Sequence, residues 1–312
     1  MRNSGSVSAA RVGLGCMALT GIYGPITRET AIGIVRRALD LGVSHFDTAE
    51  LYGPYLNEEL LADALGPDHA NVEIATKFGY GIEGGKIVGL DSRPTSIRAA
   101  VEGSLRRLRR DHVDILYQHR PDPNVPIEDV VGTMSALVDE GKAIELGLSA
   151  TDPETLRRAS KEHRISFVQN EFSLIERRPE EGLLRYLEDT AAAFVCYSPL
   201  ARGILARIPE VGLQRALSDY RRTDARFEPD RLAVIGAALA PLWRIASARS
   251  VPPASISLAW LLAKSPGIRV IPGATSIDQL MTNVAAAKIV LSSEEIAELE
   301  RTVVPHVDKS SK

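Results

Sequence analysis

The stretch Ser44-His45-Phe46-Asp47-Thr48-Ala49-Glu50-Leu51-Tyr52-Gly53 contains the pattern from which the fold can be inferred. Its run Ser44–Phe46 predicts a short buried strand, Asp47 ends that strand, and Tyr52 lies in the turn that follows. The carboxyl ends of parallel strands meet at one edge of a sheet or at one mouth of a barrel. We therefore expect Asp47 and Tyr52 to join polar residues that follow other strands.

Short β-rich apolar runs alternate with amphipathic helical patterns almost to the end of the chain. The predicted strands are Arg11–Leu14, Ser44–Phe46, Val72–Thr76, Val113–Tyr117, Ala143–Leu148, Ser166–Gln169, Phe194–Tyr197 and Ile268–Ile271. Helix starts are marked by Asp152-Pro153 and by capping-box patterns at Ser276 and Ser292. Eight strand-then-helix units favour a single-domain (β/α)8 TIM barrel over residues 1–312, with its active site at the carboxyl ends of the strands, rather than an open doubly wound sheet.

Two segments depart from this rhythm. Residues 201–229 are rich in arginine, contain glycine and proline, and are too long for an ordinary strand-to-helix turn. We interpret them as a long loop insertion near the barrel mouth. Gly13–Ala18 matches a loose GxGxxA dinucleotide fingerprint, but the residues from Leu19 to Pro25 cannot hold the helix that this fingerprint requires. We interpret this second segment as the first strand and its loop.

The composition is that of an ordinary globular chain, with 312 residues, 45% hydrophobic content, a net charge of −3 and a pI near 6.1. This balance offers no basic surface for nucleic acid. No apolar run approaches the roughly 18 residues of a membrane span, and the amino terminus lacks the apolar core of a signal peptide, so we predict a cytoplasmic protein. The two cysteines, Cys16 and Cys196, and the dispersed histidines show no metal-ligand spacing, and no metal is expected.

Four polar residues lie at the carboxyl ends of predicted strands or in the turns after them: Asp47, Tyr52, Lys77 and His119. A free tyrosine has a pKa of about 10 and is a poor proton donor near neutral pH unless its phenolate is stabilised. Lys77 would supply the stabilising charge, Asp47 would keep the ammonium charged, and His119 would donate a hydrogen bond to a substrate oxygen or help to relay the proton. A proton donor without a metal or a nucleophile-base pair suggests carbonyl reduction with hydride from a cofactor.

The motifs that contain these residues resemble the signature of the aldo-keto reductases. The resemblance runs in order through Phe46–Gly53 with Asn57-Glu58, Ala75–Phe78, Asp114–Arg120, Gly147–Ser149 and Tyr197–Leu200, and it covers nearly the whole chain. The tract His119–Glu128 is similar to the branch that contains pyridoxal reductases and plant perakine-type reductases. The resemblance implies a (β/α)8 barrel that binds an extended nicotinamide cofactor without a Rossmann domain. It also implies that Tyr52 is the general acid, that Lys77 and Asp47 tune it, and that His119 orients the carbonyl.

The resemblance further implies sets of cofactor and substrate contacts. Ser149 and Gln169 would hold the nicotinamide carboxamide, Tyr197 would stack on the ring, and Asn283 would contact adenine. The implied cofactor contacts are Met17, Asp47, Ser149, Gln169, Tyr197, Ser198, Pro199, Leu200, Arg202, Ile271, Gly273, Thr275, Gln279 and Asn283. The candidate substrate-lining residues are Met17, Tyr23, Phe78, Tyr80 and Arg120.

Departures from the best-known members leave the coenzyme preference open. Ala150 stands where many members have an asparagine for the carboxamide. Gly273 and Gln279 stand where many have a lysine and an arginine for the adenosine 2′-phosphate, and charge-assisted phosphate contacts are among the stronger ones. NADP(H) is favoured, because backbone N–H groups at a helix start near Ile277 can receive a phosphate, and NAD(H) is the alternative. Gln279 has an alternative role as the capping-box partner of Ser276.

Four functions from different classes follow from these observations. The leading one is NAD(P)H-dependent reduction of an aldehyde or ketone, with a small-molecule carbonyl as the partner. The second is a barrel lyase or aldolase that uses Lys77 as a Schiff base. The third is a cofactor-sensing binding protein with little turnover, because the potassium-channel β subunits resemble reductases. The fourth is a reductase of a nucleotide-sugar or another secondary-metabolite carbonyl, for which the 201–229 segment leaves room. No pattern reports the substrate or the oligomeric state.

Overall fold

Eight parallel strands form the central sheet of the computed structural model, which describes residues 11–66, 71–188, 190–207 and 219–302. These strands are β1 (Leu14–Gly15), β2 (His45–Asp47), β3 (Glu73–Phe78), β6 (Val113–Gln118), β7 (Ala143–Ser149), β8 (Phe167–Glu171), β9 (Ala193–Tyr197) and β10 (Ile268–Val270). Each pairs in parallel with the next in this order. A parallel bridge between Val12 and Val270 and the 2.9 Å hydrogen bond from Gly13 N to Val270 O join the first strand to the last. The predicted (β/α)8 barrel is confirmed.

The helices follow the strands in sequence. They are α1 (Arg28–Asp40), α2 (Leu56–Leu65), α3 (Pro94–Leu108), α4 (Ile127–Asp139), α5 (Pro153–Glu162), α6 (Leu183–Glu188), α7 (Pro229–Ala238), α8 (Ala240–Arg249), α9 (Pro253–Lys264), α10 (Ile277–Ala285) and α11 (Ser293–Glu300). The predicted caps form: Asp152 accepts from two amides of α5, Ser276 accepts from the Gln279 amide, and Ser292 with Glu295 forms a complete capping box. These contacts satisfy amides that the first turn of a helix cannot pair by itself.

An antiparallel hairpin between β3 and α3 was not anticipated from the sequence. It consists of β4 (Tyr80–Glu83) and β5 (Lys86–Leu90), joined at Gly84 and Gly85 with positive φ values of 56° and 76°. Such a turn favours glycine at both central positions. The Gly84-Gly85 pair is a sequence signal for this turn. It was overlooked because the alternation of strands and helices leaves no place for an extra hairpin.

Strand alternation determines which side chains enter the barrel. Because successive residues of a strand point to opposite faces, residues two apart share a face. Ala75, Phe167 and Val195 belong to a small apolar cluster distinct from the larger core that involves the helices. Lys77, Gln169 and Tyr197 each lie two residues further along the same three strands. The cluster therefore forms a floor, and polar and aromatic side chains lie above it at the carboxyl ends of the strands.

The interrupted segment after β9 consists of short 3₁₀ turns where it is described, at Ala201–Ala206, Tyr220–Thr223 and Ala225–Phe227. Residues 208–218 of the predicted loop lie outside the described residues, as do residues 1–10 and 303–312 of the predicted domain. Over the described ranges no single helix is long and apolar enough to cross a membrane. The pair α7 and α8, bent by 54°, meets the length and composition criteria only when the two helices are combined.

Candidate active site

Lys77 lies at the centre of a hydrogen-bonded group at the barrel mouth and is 1% exposed. Its Nζ donates to Asp47 Oδ1 at 2.5 Å, to the Thr48 carbonyl oxygen at 2.9 Å and to Tyr52 Oη at 3.1 Å. Each of the three ammonium protons thus has an acceptor. Burial alone would lower the pKa of Lys77, but the Asp47 carboxylate and Tyr52 outweigh burial and raise it. The side chain is a cation rather than a free amine, which argues against its use as a Schiff-base nucleophile.

Asp47 is held on both carboxylate oxygens. Gln169 Nε2 donates to Oδ2 at 2.7 Å, whereas Lys77 uses Oδ1. Gln169 lies on β8, 122 positions away in sequence from Asp47 on β2. Both side chains are 2% exposed. Pairing of both oxygens in a buried site restricts how far the carboxylate can rotate, and so restricts the position of the lysine.

The turn that carries Tyr52 is anchored by the first residues of α2. Asn57 is fully buried, donates from Nδ2 to the Cys16 carbonyl oxygen at 2.8 Å, and accepts from Thr48 Oγ1 at 2.7 Å. Glu58, also fully buried, accepts from Thr76 Oγ1 at 2.6 Å and from Arg107 Nε at 2.6 Å. These contacts tie the turn to the first loop, to β3 and to α3. The Tyr52 phenol is therefore carried by a restrained backbone.

The electrostatic effect on Tyr52 differs from the simple expectation that Lys77 lowers its pKa. Burial raises the pKa of the phenol above its ordinary value, and the ammonium of Lys77, which acts in the opposite direction, does not outweigh burial. Asp47 also raises this pKa. The main physical reason is that burial removes the water that would solvate the phenolate, and Asp47 adds to this effect by offsetting part of the lysine charge. Tyr52 is therefore fully protonated at neutral pH, and the lysine is placed to stabilise negative charge only when the proton leaves.

His119 follows β6 and is held by its backbone, because its N–H donates to the Phe78 carbonyl oxygen at 2.8 Å. Its ring is perpendicular to those of Tyr52 and Tyr80, with centroid separations of 5.8 and 5.3 Å. Burial, with the positive charges of Lys77 and Arg120, holds the pKa of His119 well below its usual value. The imidazole is therefore neutral at physiological pH. A neutral ring can donate one hydrogen bond to an oxygen without delivering a full charge.

A cavity of about 230 Å³ opens onto these side chains. Among the four predicted catalytic residues, Asp47, Tyr52 and His119 line it, and Lys77 lies beneath them. Eight further predicted cofactor positions line the same cavity: Met17, Ser149, Gln169, Tyr197, Ser198, Arg202, Ile271 and Gly273. The cavity therefore continues from Asp47, Tyr52 and His119 along the ends of β7, β8, β9 and β10.

The model of the aldo/keto reductase family matches residues 11–303. The chain belongs to the aldo-keto reductase family. It is 34% identical over 299 residues to a probable aldo-keto reductase of Glycine max, with 94% of this chain and 85% of that protein covered. The match to a branch with pyridoxal and perakine-type reductases stays a prediction.

Solved aldo-keto reductase structures have the same architecture. A glycerol dehydrogenase of Gluconobacter oxydans is 28% identical, with a TM-score of 0.83, and 97% of this chain and 95% of that chain are covered. An aldo/keto reductase of Klebsiella pneumoniae, described in complex with NADP and acetate, is 27% identical, with a TM-score of 0.74 and coverage of 96% and 93%. This aldo-keto reductase is thus similar to both solved members in sequence and in fold.

Five positions that the aldo-keto reductase resemblance assigns to the cofactor do not line the cavity: Pro199, Leu200, Thr275, Gln279 and Asn283. Gln279 Oε1 accepts from the Thr275 amide at 2.8 Å, and the Gln279 amide donates to Ser276 Oγ at 3.2 Å. Asn283 is 3% exposed and donates from Nδ2 to the Gly273 carbonyl oxygen at 3.1 Å. Ser276 therefore caps α10, but the Gln279 side chain bonds to Thr275 rather than to the Ser276 backbone N–H that a capping box requires, and Asn283 holds the Gly273 loop.

The candidate substrate residues occupy different places. Met17, Tyr23 and Arg120 line the cavity of this aldo-keto reductase. Tyr80 contacts the edge of the His119 ring, and Phe78 is 2% exposed and belongs to the main core, so neither lines the cavity. Sequence reasoning missed Gly15, Ala18, Ile22 and Tyr220, which also line it. Tyr220 Oη donates to Tyr23 Oη at 3.3 Å. The only sequence signal for Tyr220 as a cavity residue was its position in the 201–229 segment, which interrupts the alternation of strands and helices.

Proposed function

We propose that this aldo-keto reductase catalyses NADPH-dependent reduction of an aldehyde or ketone to an alcohol, with the proton supplied by Tyr52. The observation that carries the proposal is the Lys77 ammonium, which bridges Asp47 and Tyr52 with distances of 2.5 and 3.1 Å. This group has a protonated phenol, a fixed cation beneath it and a neutral imidazole beside it. Such a set can give a proton to a carbonyl oxygen as negative charge develops there.

The cavity fits a nicotinamide nucleotide in its chemistry. The Tyr197 ring lines the cavity, and the Arg120 guanidinium lies 5.4 Å from its centroid. An aromatic ring that lines a cavity offers a face on which a planar nicotinamide ring can stack. Ser149 Oγ and the Gln169 amide offer polar groups beside it. When bound, the nucleotide would supply the hydride. The chain itself would hold the nucleotide, orient the carbonyl and provide the proton.

Three residues have separate tasks in this proposal. His119, kept neutral by its low pKa, would donate a hydrogen bond to the carbonyl oxygen and hold it beside Tyr52. Tyr52 would transfer its proton to that oxygen. The charge left on Tyr52 Oη would be stabilised by the Lys77 ammonium at 3.1 Å, whose own charge is maintained by Asp47. The buried environment strengthens this attraction relative to water.

We favour NADP(H) over NAD(H), in line with the Klebsiella pneumoniae structures that are described as complexes with NADP and NADPH. The final loop of this chain lacks the two cations that many members use for the 2′-phosphate. The Thr275 amide is already bonded to Gln279, so fewer free donors are left at the start of α10. We therefore expect weaker discrimination between the two coenzymes than in members that have both cations. A cytoplasmic location and a small-molecule carbonyl partner belong to the same proposal.

The test is to titrate NADPH and NADH by fluorescence and then to follow absorbance loss at the nicotinamide band with aldehydes, ketones, pyridoxal and nucleotide-linked sugars. Binding of NADPH with turnover of simple carbonyls supports the proposal. Tight binding with no turnover would favour the cofactor-sensing alternative. Turnover of a nucleotide-linked sugar alone would favour a nucleotide-sugar reductase, and borohydride trapping of a substrate on Lys77 would favour a lyase or aldolase.

A further inference from the structure

We propose that Arg120 recognises an anionic group on the carbonyl substrate, so that the preferred substrates carry a carboxylate or a phosphate near the carbonyl. This inference deepens the proposed reductase function and rests on it. Arg120 follows His119 directly and lines the same cavity as Tyr52. Its guanidinium is thus available to a ligand whose carbonyl oxygen lies between His119 and Tyr52.

The charge of Arg120 is not neutralised within the described part of the chain. Its Nη1 donates to the His119 carbonyl oxygen at 2.9 Å and to Ser149 Oγ at 3.4 Å, both of which are neutral acceptors. The guanidinium also lies over the Tyr197 ring. Among the described carboxylates, none lies within 4.0 Å of it. Partial removal of a cation from water without a counter-ion costs free energy, and pairing with a bound anion offsets that cost.

The other charged groups that line the cavity are paired, which distinguishes Arg120 from them. Asp47 is bonded to Lys77 at 2.5 Å, and Arg202 Nη1 is bonded to Asp224 at 2.5 Å. Asp224 is shared with Arg226, which also pairs with Glu171, so this group of two arginines and two carboxylates is neutral, as is the Lys77–Asp47 pair. Arg120 therefore gives the described lining one excess positive charge. A cleft with an excess of one sign concentrates ligands of the opposite sign. The planar fork of a guanidinium matches the two oxygens of a carboxylate or phosphate.

The position of Arg120 favours the substrate over the cofactor phosphates as the source of the anion. Arg120 contacts Ser149 and Tyr197, the positions at which the family resemblance puts the nicotinamide ring, which carries no phosphate. The implied phosphate contacts, Ser198 and Arg202, follow β9 instead. The charge of Arg120 is also felt at the reacting groups, because it contributes to lowering the pKa of His119. An anion bound by Arg120 would therefore lie close to the reacting carbonyl.

The experiment compares matched carbonyls that differ in charge: butanal with succinic semialdehyde, and glyceraldehyde with glyceraldehyde 3-phosphate. The wild-type protein should give a higher kcat/KM for the anionic member of at least one pair, and the pair affected tells carboxylate from phosphate. Arg120→Gln should reduce the anionic-to-neutral ratio by about 10- to 100-fold, and Arg120→Lys should retain part of it. Arg106→Gln, which removes an exposed arginine on α3, is the control and should keep the wild-type ratio.

Binding provides a readout without turnover. Butyrate and inorganic phosphate should perturb the fluorescence of the NADPH complex more strongly in wild type than in Arg120→Gln, and neutral butyramide should not distinguish the two. The proposal is overturned if wild type reduces the neutral carbonyls without any anionic preference, or if the ratio is equal in both proteins. A loss of NADPH affinity in Arg120→Gln with an unchanged ratio would assign the residue to the cofactor. Absence of all turnover together with selective anion binding would contradict the reductase function and support the anion site.

Discussion

Gln169 Nε2 donates a 2.7 Å hydrogen bond to Asp47 Oδ2, on the carboxylate oxygen that Lys77 does not use. The family resemblance assigns Gln169 to the cofactor, and the structure shows that Gln169 also contacts Asp47, the carboxylate that pairs with Lys77. Gln169→Leu should lower kcat by about 10- to 100-fold, because a hydrogen bond to a charged group contributes about 1.5–3 kcal/mol and the released carboxylate reorients. Steady-state kinetics and NADPH titration would measure it. A variant that loses only cofactor affinity, with kcat intact, would show that the contact to Asp47 has no catalytic effect.

Tyr52→Phe removes the proposed proton donor and keeps the ring that packs against His119. We expect turnover to fall by about 100- to 10,000-fold, as for other general acids, with NADPH affinity close to wild type. The measurement is carbonyl-dependent NADPH oxidation, with fluorescence titration as the binding control. Wild-type rates with every carbonyl tested would exclude Tyr52 as the donor.

Glu50 is a buried carboxylate whose pKa is raised to about 7, first by burial and then by Glu58. Its Oε1 has no hydrogen-bond partner in the described residues. The folded state therefore retains a proton that the unfolded chain releases at lower pH, so this group costs progressively more stability as pH rises from about 4.5 to about 7. Glu50→Gln should be more stable than wild type at pH 8 by on the order of 2–3 kcal/mol, and nearly equal at pH 4.5.

Urea unfolding of wild type and Glu50→Gln at several pH values would measure this difference. Glu59→Gln is the matched control, because Glu59 is an exposed glutamate on α2, the helix that follows the turn containing Glu50. A stability difference for Glu50→Gln that does not change with pH would contradict the assignment.

Ala150 has a positive φ of 53°, a conformation that non-glycine residues other than asparagine and aspartate seldom adopt. Many family members have asparagine here, and a neighbouring cavity of about 460 Å³ lined by Ala150 leaves room for it. Ala150→Asn and Ala150→Gly should each stabilise the fold by up to about 1 kcal/mol. Only the asparagine variant should bind NADPH more tightly. Equal NADPH affinity in the two variants would rule out the added amide contact.

Gly15 lies at the seam of the barrel, and a Cβ there would meet the Ile271 carbonyl oxygen at 2.5 Å. Gly15→Ala should destabilise the fold by about 1–3 kcal/mol, because the backbone of β1 and the loop after β10 would have to separate. Gly33→Ala is the matched control, since α1 has nothing within 4 Å of the added methyl and should gain about 0.5–1 kcal/mol. Denaturant unfolding of wild type and both variants would compare their free energies of unfolding. Equal stability of Gly15→Ala and wild type would show that β1 and the loop after β10 can separate at little cost.

The sequence by itself determined the order of elements and the polar positions at their ends. Period-two alternation places Lys77, Gln169 and Tyr197 above the apolar floor, because each lies two residues beyond an inward residue of its strand. The caps at Asp152 and Ser292 were equally readable, since capping is a contact between residues two or three apart. The hairpin after β3 was missed although its Gly-Gly turn was visible.

Only the tertiary structure decided the partners and charges within the site. The bond between Gln169 and Asp47 joins residues 122 positions apart, and neither burial nor distance across a barrel is encoded in local periodicity. The effect of burial on the pKa of Tyr52 is larger than that of the Lys77 charge. The pKa of the phenol therefore rises, whereas the contact with Lys77 considered alone would predict a fall. Asn283 donates to the Gly273 loop, and Arg120 alone among the charged residues lining the cavity lacks a described counter-ion. The types of chemical group were fixed locally, whereas their protonation and pairing depend on what the closed barrel brings within a few ångströms.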